Sequence, residues 1–309
     1  MTVPEPGQIS EQQEREQSMP EQFFLYQDAF SRNLGLIAED EQEKLRESSA
    51  AIPGMGGMGG AHALALARLG LGRLIMADFD TFEVVNFNRQ VGATTRTLGR
   101  PKVEVMTERV QEINPEIEVS VFREPITPDN AADFLADADI LLDGLDFFAF
   151  EHRRQLFNTA RDQGIHVVST GPIGFSAILQ IFSPDGMSFD RYFNVDDSLS
   201  REEKLLRFLV GIAPGGTHLK YIDKGKVKLG EGSGPSLGLA VQMAAGLAAA
   251  QVAKILIGRG PVPAVPYYFQ VDGYTLECKH GRLPWGNRSP LQRLKIWYVR
   301  RLLASQRDS

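Results

Sequence analysis

Short apolar runs alternate with amphipathic segments over the first two thirds of the chain. The runs at Ala50–Pro53, Arg73–Asp80 and Asp139–Asp143 have the length of buried strands, and segments with helical spacing follow them. Strands that are apolar throughout and joined by helices are typical of a parallel sheet covered on both faces. The pattern therefore predicts an α/β fold with a mostly parallel sheet and helices on both faces.

The same periodicity sets the other expected elements. Further strands are expected at 116–122, 166–170 and 176–184, and helices at 21–47, 61–69, 101–110, 147–163 and 201–210. The stretch TPDNAADFLA at 127–136 has a capped helix start. A length of 309 residues is enough to bury the core of one large domain or of two smaller ones.

The chain divides into four parts. Residues 1–20 are polar and predict a disordered lead, and 21–183 carry the strand–helix alternation. Residues 184–233 are largely irregular. Residues 234–309 belong to the same domain and predict a C-terminal antiparallel extension: a buried helix at Leu237–Ile257, a hairpin around Asp272-Gly273, and a basic helix at Leu291–Leu303.

Composition excludes several classes of protein. The net charge of −6 does not indicate nucleic-acid binding. The apolar segment Leu237–Ile257 contains Gln242, Gln251 and Lys254, which favours a core helix over a membrane span. The single cysteine, Cys278, allows neither an internal disulfide nor a cysteine-based zinc site. With no apparent secretion leader, we expect a cytoplasmic protein without a membrane or nucleic-acid partner.

The stretch AAIPGMGGMGG at 50–60 joins the first strand to the first helix. Its glycines at Gly54, Gly56, Gly57 and Gly59 would let backbone approach phosphates at a helix N-terminus, as in Rossmann-like sheets. Asp78 ends the next strand, where a carboxylate can accept hydrogen bonds from a ribose. The loop predicts a nucleotide site without deciding which nucleotide, and a purely structural glycine turn remains the alternative.

The residues that follow favour a triphosphate. Asn86, Asn88, Arg89 and Gln90 place four side-chain donors within five positions. Lys102 falls just inside the N-terminus of a helix, where its charge could face the same phosphates. Farther on, LLDGLD puts Asp143 and Asp146 at the carboxyl end of a later strand, where an acid near phosphates can hold Mg²⁺.

Six motifs in order resemble the ubiquitin-activating-enzyme-like adenylyltransferases, the ThiF/MoeB group. They are AFSRN at 29–33, GMGGMG at 54–59, DFD at 78–80, NFNRQ at 86–90, GRPK at 99–102 and GLD at 144–146. The resemblance is clear over about 25–182 and looser over 234–258. It implies that 21–183 form an ATP-binding adenylation region and that 184–233 form a variable segment on the substrate side.

The resemblance also implies roles for individual residues. The nucleotide-binding set would be Gly54, Gly56, Gly57, Gly59, Asp78, Asp80, Asn86, Arg89, Gln90, Lys102 and Asp146. Within it, Gly57 would lie against the nucleotide, Asp78 would hold the ribose, and Asp146 would position Mg²⁺. Arg32 would reach the ATP of the partner subunit in a homodimer, so that Arg32, Arg89, Lys102 and Asp146 form the catalytic set.

The reaction implied joins a carboxylate to AMP with release of pyrophosphate. The acceptor would be a ubiquitin-like protein, a peptide or a small carboxylate. The chain lacks the family's paired zinc cysteines and its catalytic cysteine, and Leu145-Asp146-Phe147 replaces the usual T-D-N. ATP and Mg²⁺ are thus the expected cofactors, without zinc, and Cys278 is expected to pack rather than to react.

Two other functions fit part of the pattern. An NAD(P)-dependent oxidoreductase would use Gly54 through Asp78 but would leave Asn86–Gln90 and Lys102 without a role. A non-catalytic nucleotide-binding scaffold could keep the fold, yet every charged position of the motif set is retained. His218 is the one histidine whose setting, GGTHLKY, draws attention, and a satisfied interior role is expected for it.

Overall fold

The computed structural model of the protein describes residues 24–223 and 234–307. The expected disordered lead at 1–20 and part of the expected substrate-side segment, 224–233, lie outside the described residues.

One mixed eight-stranded sheet organises these residues, in the order β3-β2-β1-β4-β5-β6-β7-β8. The strands are β1 Ser49–Pro53, β2 Arg73–Ala77, β3 Glu118–Phe122, β4 Ile140–Leu142, β5 His166–Ile173, β6 Ser176–Phe182, β7 Tyr267–Asp272 and β8 Glu277–Arg282. The pairings among β1 to β5 are parallel, and those of β5 with β6, β6 with β7 and β7 with β8 are antiparallel. The predicted Rossmann-like sheet with an antiparallel extension is confirmed.

Helices cover both faces of the sheet. Successive strand residues point to opposite faces, so each strand contributes side chains to two cores. The helices are α1 Tyr26–Ala29, α2 Glu39–Glu47, α3 Gly57–Leu69, α4 Lys102–Ile113, α5 Ala131–Leu135, α6 Phe150–Asp162, α7 Phe189–Phe193, α8 Arg201–Ile212, α9 Gly238–Leu256 and α10 Pro290–Arg307. In β1, Ala50 and Ile52 join the core formed with α3, α4 and α9. Ala51 faces the other core, formed with α5 to α8.

The chain changes direction across the sheet between β1 and β4. From β1 it passes outward through β2 to β3, and then returns to place β4 on the other side of β1. In open α/β sheets the crevice beyond the carboxyl ends of the strands at such a switch point is the usual ligand site. The glycine loop follows β1 and Gly144–Asp146 follow β4, so both lie at that crevice.

The single helix expected over 21–47 is wrong for the described part. The structure has α1, a short 3₁₀ turn at Ser31–Asn33, and then α2 from Glu39. Gly35 has a φ of +98°, which ends helical continuation, and the Ala38 amide donates to Glu41 Oε2 at 2.8 Å to start α2. The break leaves Arg32 on an exposed turn rather than on a helix face.

Two boundaries near the glycine loop also differ from expectation. The strand expected over 73–80 ends at Ala77, because the Asp80 amide donates to Asp78 Oδ1 at 2.7 Å and turns the chain. The helix expected from Ala61 begins at Gly57, immediately after the loop. Pro53 costs the sheet no hydrogen bond, although proline has no amide N–H to donate. On the β4 side the pairing of β1 already stops at Ala51, and on the β2 side the Gly54 amide donates to Ala77 O at 2.6 Å.

The segment after residue 184 is more ordered than expected. Besides α8 it forms α7 and a 3₁₀ turn at Thr217–Lys220. Among the described residues, α9 is the one helix long and apolar enough to cross a membrane. This helix packs on α3, β5 and β6 through alanines and Val241, and 39% of its apolar window is buried.

Candidate active site

The glycines of the loop fall into two groups by the space around them. A methyl group added at Gly54 would lie 2.7 Å from Gly144 O, and one added at Gly59 would overlap the carbonyl oxygen of Gly54. Gly56 and Gly57 have only ordinary contacts, at 3.5 Å or more. Gly54, Gly59 and Gly144 therefore allow close packing of backbone, whereas Gly56 and Gly57 leave the N-terminus of α3 open to a ligand.

Gly59→Ala should destabilise the fold by about 1–3 kcal/mol, because the added methyl group overlaps the backbone of the loop. Gly246→Ala in α9 is the matched control, since nothing lies within 4 Å of its added methyl group and alanine suits a helix interior. Urea unfolding of both variants measures the difference. Equal stability of Gly59→Ala and wild type would contradict the packing role.

Asp78, Asp80 and Lys102 meet beside the loop. The Met55 amide donates to Asp78 Oδ2 at 2.5 Å, which fixes the second strand's carboxylate against the glycine loop. Burial raises the pKa of Asp78, opposed by the amides of Met55 and Asp80. Lys102 Nζ donates to Asp80 Oδ2 at 3.1 Å although the lysine side chain is 9% exposed. A nearly buried ammonium at this edge can be redirected to a bound anion when Asp80, which is mostly exposed, turns to solvent.

The Asn86–Gln90 segment forms the second wall of the crevice. Asn86 is buried and its Oδ1 accepts from the Glu83 amide at 2.9 Å, so its side chain shapes the turn. Arg89 donates to Val85 O at 2.9 Å, and the described residues offer its guanidinium no carboxylate. Gln90 Nε2 would lie 3.7 Å from a methyl group on Gly56, and Gln90 Oε1 is buried without a partner among the described residues. Arg89 and Gln90 thus border the open glycines directly.

The third wall follows β4. Asp143, expected at the ligand edge, is buried and accepts from Arg153 Nε at 2.8 Å and Ser169 Oγ at 2.9 Å. Arg153 also donates to Leu145 O at 2.7 Å, so the pair holds the loop that carries Asp146. Asp143 is therefore a positioning residue and not a ligand in this arrangement. Sequence reasoning missed Arg153, because an arginine in an amphipathic helix normally faces solvent.

Asp146 is the exposed acid of this loop. Its Oδ1 accepts from the Phe148 amide at 2.9 Å, which orients the carboxylate and leaves Oδ2 for a ligand. A single carboxylate combined with phosphate oxygens and water is a donor set that suits Mg²⁺. Asp146 would hold the ion, and the ion would neutralise charge on the phosphates. No group of three or more metal-ligating side chains occurs within residues 24–223 and 234–307.

The N-terminus of α9 closes the crevice from above the loop. Asn88 Nδ2 donates to Ser236 O at 2.8 Å, and a methyl group on Gly238 would lie 2.6 Å from Asn88 O. Val241 of α9 also lies beside Gly57, because a methyl group added at Gly57 would lie 3.5 Å from the Val241 side chain. Sequence reasoning identified the helix but not its role in bracing the Asn86–Gln90 segment, because these contacts join residues about 150 positions apart.

Arg32 does not join the other predicted residues. It is exposed, and its neighbour Asn33 donates to Leu69 O at the C-terminal end of α3 at 3.2 Å. The glycine loop lies at the N-terminal end of that helix, roughly 20 Å away at 1.5 Å per residue. Arg32 is too far to serve the site of its own chain.

Two histidines are interior residues, as expected for His218. His62 is a buried residue of α3 with Nε2 3.0 Å from Thr170 Oγ1, and burial lowers its pKa to about 4, opposed by the charge of Asp143. His218 is likewise buried, beside Gln270, and burial lowers its pKa to about 4. Cys278, expected to pack, is exposed on the edge strand β8, where its neighbours Lys279 and His280 are exposed as well.

His62 should make stability depend on pH. Its pKa is about 4 in the folded protein and about 6.5 when unfolded, so the unfolded chain binds more protons between these values. The unfolding free energy should therefore fall as pH falls from 7 to 5, and His62→Gln should reduce this fall by about 1–2 kcal/mol. Urea unfolding at both pH values, with the exposed His152→Gln as control, tests it. Identical slopes for wild type and His62→Gln would refute it.

Solved structures share this architecture. The crystal structure of PaaA matches with a TM-score of 0.64 and 24% identity, covering 85% of this chain and 86% of that one. The Escherichia coli tRNA N6-threonylcarbamoyladenosine dehydratase TcdA in complex with ATP matches with a TM-score of 0.55 and 23% identity, covering 75% and 95%. At these sequence identities the similarity shows the shared fold alone. One of the two structures, that of TcdA, contains bound ATP.

Curated sequences are similar over part of their length. The sulfur carrier protein ThiS adenylyltransferase of Escherichia coli is 35% identical over 158 residues, covering 50% of this chain and 62% of that protein. The tRNA threonylcarbamoyladenosine dehydratase of Haemophilus influenzae is 35% identical over 150 residues, covering 48% and 57%. The chain thus spans somewhat more than half the length of these relatives.

A model of one family covers nearly the whole region just described. The ThiF family matches residues 30–291, which include the glycine loop, all three walls of the crevice and the antiparallel extension. The match agrees with the sheet order and with the assembly of the motif residues at the switch point. The protein belongs to the ThiF family.

Proposed function

We propose that the protein uses ATP and Mg²⁺ to adenylate a carboxylate, the C-terminus of a peptide or of a small ubiquitin-like protein. The observation that carries this proposal is the convergence of the motif residues on one crevice. The open glycines Gly56 and Gly57 are bordered by Arg89 and Gln90 on one side, while Gly54 packs against Gly144 on the other. A dinucleotide-dependent oxidoreductase would need only the loop and Asp78.

The chemistry needs no general base, because a carboxylate is already a nucleophile. One carboxylate oxygen attacks the α-phosphorus, forming the acyl–phosphate bond while the bond to the β-phosphate breaks and pyrophosphate leaves. Such a displacement depends on alignment and on neutralising the leaving charge. We assign alignment to the N-terminus of α3, charge neutralisation to Arg89, Lys102 and Mg²⁺ on Asp146, and the ribose to Asp78.

We further propose a homodimer in which Arg32 completes the site of its partner. Two exposed apolar patches support this. Leu34 and Leu36 directly follow the 3₁₀ turn of Arg32, and Val84, Val85 and Phe87 lie at the start of the Asn86–Gln90 segment; all five are exposed. A two-fold interface pairs one patch with the other twice. Burying both patches would bring Arg32 of one subunit to the Asn86–Gln90 segment of the other.

Nucleotide binding separates adenylation from the oxidoreductase alternative. Isothermal titration calorimetry with ATP and Mg²⁺ should show binding that is lost in Gly57→Leu, which fills the open space at the N-terminus of α3. Gly246→Leu, at an open position in α9, is the control. Tight binding of NADH with no binding of ATP would overturn the proposal.

A further inference from the structure

Three aromatic side chains cluster at the carboxyl edge of the sheet, on the β5–β7 side of the crevice. Phe175 lies in the turn between β5 and β6, and Tyr274 in the turn between β7 and β8. Their rings are stacked, with centroids 5.0 Å apart and an interplanar angle of 29°. Tyr221 stands edge-on to both, at 5.4 and 5.5 Å. We call Phe175, Tyr221 and Tyr274 the aromatic platform.

Hydrogen bonds centred on Asp272 and the Tyr221 hydroxyl hold the platform in place. The Tyr221 hydroxyl donates to Asp272 Oδ2 at 2.7 Å and accepts from the Phe175 amide at 2.9 Å. Asp272 also accepts from Ser176 Oγ at 2.5 Å and from the Thr275 amide at 3.0 Å. Burial alone would raise the pKa of Asp272, but these hydrogen bonds outweigh it and hold that pKa well below its usual range. The carboxylate stays charged, and the rings are fixed before any ligand arrives.

The platform nevertheless faces solvent. Tyr274 is 66% exposed although it is stacked and anchored through its neighbours. A fixed aromatic surface of this kind loses little conformational entropy on binding and offers a planar group a stacking partner. Packing of the domain does not require an exposed ring at the tip of the β7–β8 turn.

The platform lies within reach of the reaction centre. Helix α9 lies beside both, because a methyl group added at Gly57 would lie 3.5 Å from Val241 and one added at Gly273 would lie 3.3 Å from Met243. Asp146 lies in the loop after β4, and the platform lies at the ends of β6 and β7. These strands are two and three positions from β4 in the sheet, so the separation is roughly 10–14 Å. An extended chain advances about 3.3 Å per residue, so three to four residues span the gap.

The charges around the platform favour a peptide over RNA. Recognition of a nucleic-acid strand needs cations that are free to meet phosphates. Among residues 24–223 and 234–307, two lysines beside the β7–β8 turn, Lys220 and Lys279, both pair with Glu277, the latter at 3.6 Å. The whole chain is also net negative. In the part of the chain that the structure describes, lysines beside the platform are engaged by an acid, and stacking on the rings suits a planar side chain of a peptide.

We propose that the aromatic platform selects the acceptor by stacking a planar side chain three or four residues before its terminal carboxylate. The inference rests on the proposed adenylation, which fixes where the carboxylate must lie. It adds a specificity site on this chain: Tyr274 and Phe175 bind the planar group, and Tyr221 positions them through Asp272.

Fluorescein-labelled peptides of glycine and serine, each with one tryptophan at a different distance from a free C-terminus, test the proposal by anisotropy. Binding should be about tenfold tighter when tryptophan stands three or four residues before the end than when it is absent. Tyr274→Ala should remove this preference. Tyr267→Ala is the matched control, since Tyr267 is also a part-exposed, stacked tyrosine but lies at the opposite end of β7.

The outcomes separate the two proposals. Position-dependent binding that needs Tyr274 supports the platform even if no peptide supports pyrophosphate exchange, in which case the adenylation proposal fails alone. Binding that ignores the tryptophan position, or that Tyr274→Ala leaves unchanged, overturns the platform. Tighter binding of a single-stranded oligoadenylate than of every peptide, lost in Tyr274→Ala, would also overturn it.

Discussion

Lys102→Ala is expected to lower ATP–pyrophosphate exchange by about 10²–10³-fold while leaving the fold intact. The ammonium group is the nearly buried cation of the crevice, and its partner Asp80 is mostly exposed and can be hydrated when the lysine is lost. Removing one fixed donor from a charge that develops in the transition state typically costs this much. The loss should appear in kcat, since the positive charge matters most as pyrophosphate leaves.

Arg89→Ala should give a loss of similar size, and Arg96→Ala supplies the matched control. Arg96 is exposed in the segment that follows, outside the crevice. Circular dichroism and urea unfolding confirm that each variant folds. Wild-type exchange in both Lys102→Ala and Arg89→Ala would contradict the assignment of these residues to the phosphates.

Arg32→Ala is expected to lower exchange by about a thousandfold, in line with arginines that reach a phosphate site from another subunit. The distance along α3 excludes action on the same chain, so the loss should be complemented in trans. When Arg32→Ala and Lys102→Ala are unfolded together and refolded as an equal mixture, half of the dimers become mixed, and one of two sites in each is intact. Exchange should return to about a quarter of the wild-type value.

The control for complementation is each variant refolded alone, which should remain inactive. Sedimentation equilibrium establishes whether the mixture is dimeric. No recovery in a dimeric mixture would contradict action of Arg32 across the interface, and a monomer with full activity would contradict the dimer itself.

The sequence predicted the elements that depend on local pattern. Apolar runs located β1, β2 and β4, and the small-residue stretch located α9 within one residue at each end. The residues of the glycine loop and the Asn86–Gln90 segment were expected together, because carboxyl ends of parallel strands share one edge. The positions of Arg89 and Gln90 beside Gly56 and Gly57 agree with that expectation.

Features that depend on distant contacts were not predictable. Asp143 looked like a ligand because it ends a strand, but Arg153 and Ser169 bury it. The break before α2 depends on the backbone angle of Gly35, which leaves no trace in periodicity. The hydrogen bond of Tyr221 with Asp272 joins residues 51 positions apart, so the aromatic platform emerges only from the fold.

The glycine motif illustrates the same limit. Its spacing indicated a nucleotide but could not separate glycines that pack from glycines that face a ligand. The structure makes this distinction, since Gly54 and Gly59 meet backbone while Gly56 and Gly57 do not. The pair of open glycines now marks where a nucleotide should lie.

The most direct test of the central proposal is exchange of labelled pyrophosphate into ATP in the presence of peptides with a free C-terminal carboxylate. Each peptide is paired with its C-terminal amide, which has the same side chains but no nucleophile. Exchange that requires Mg²⁺, occurs with a free acid and vanishes with its amide is the expected result. Exchange that is equal for acid and amide, or tight binding of NADH with no binding of ATP, would contradict adenylation of a carboxylate by this site.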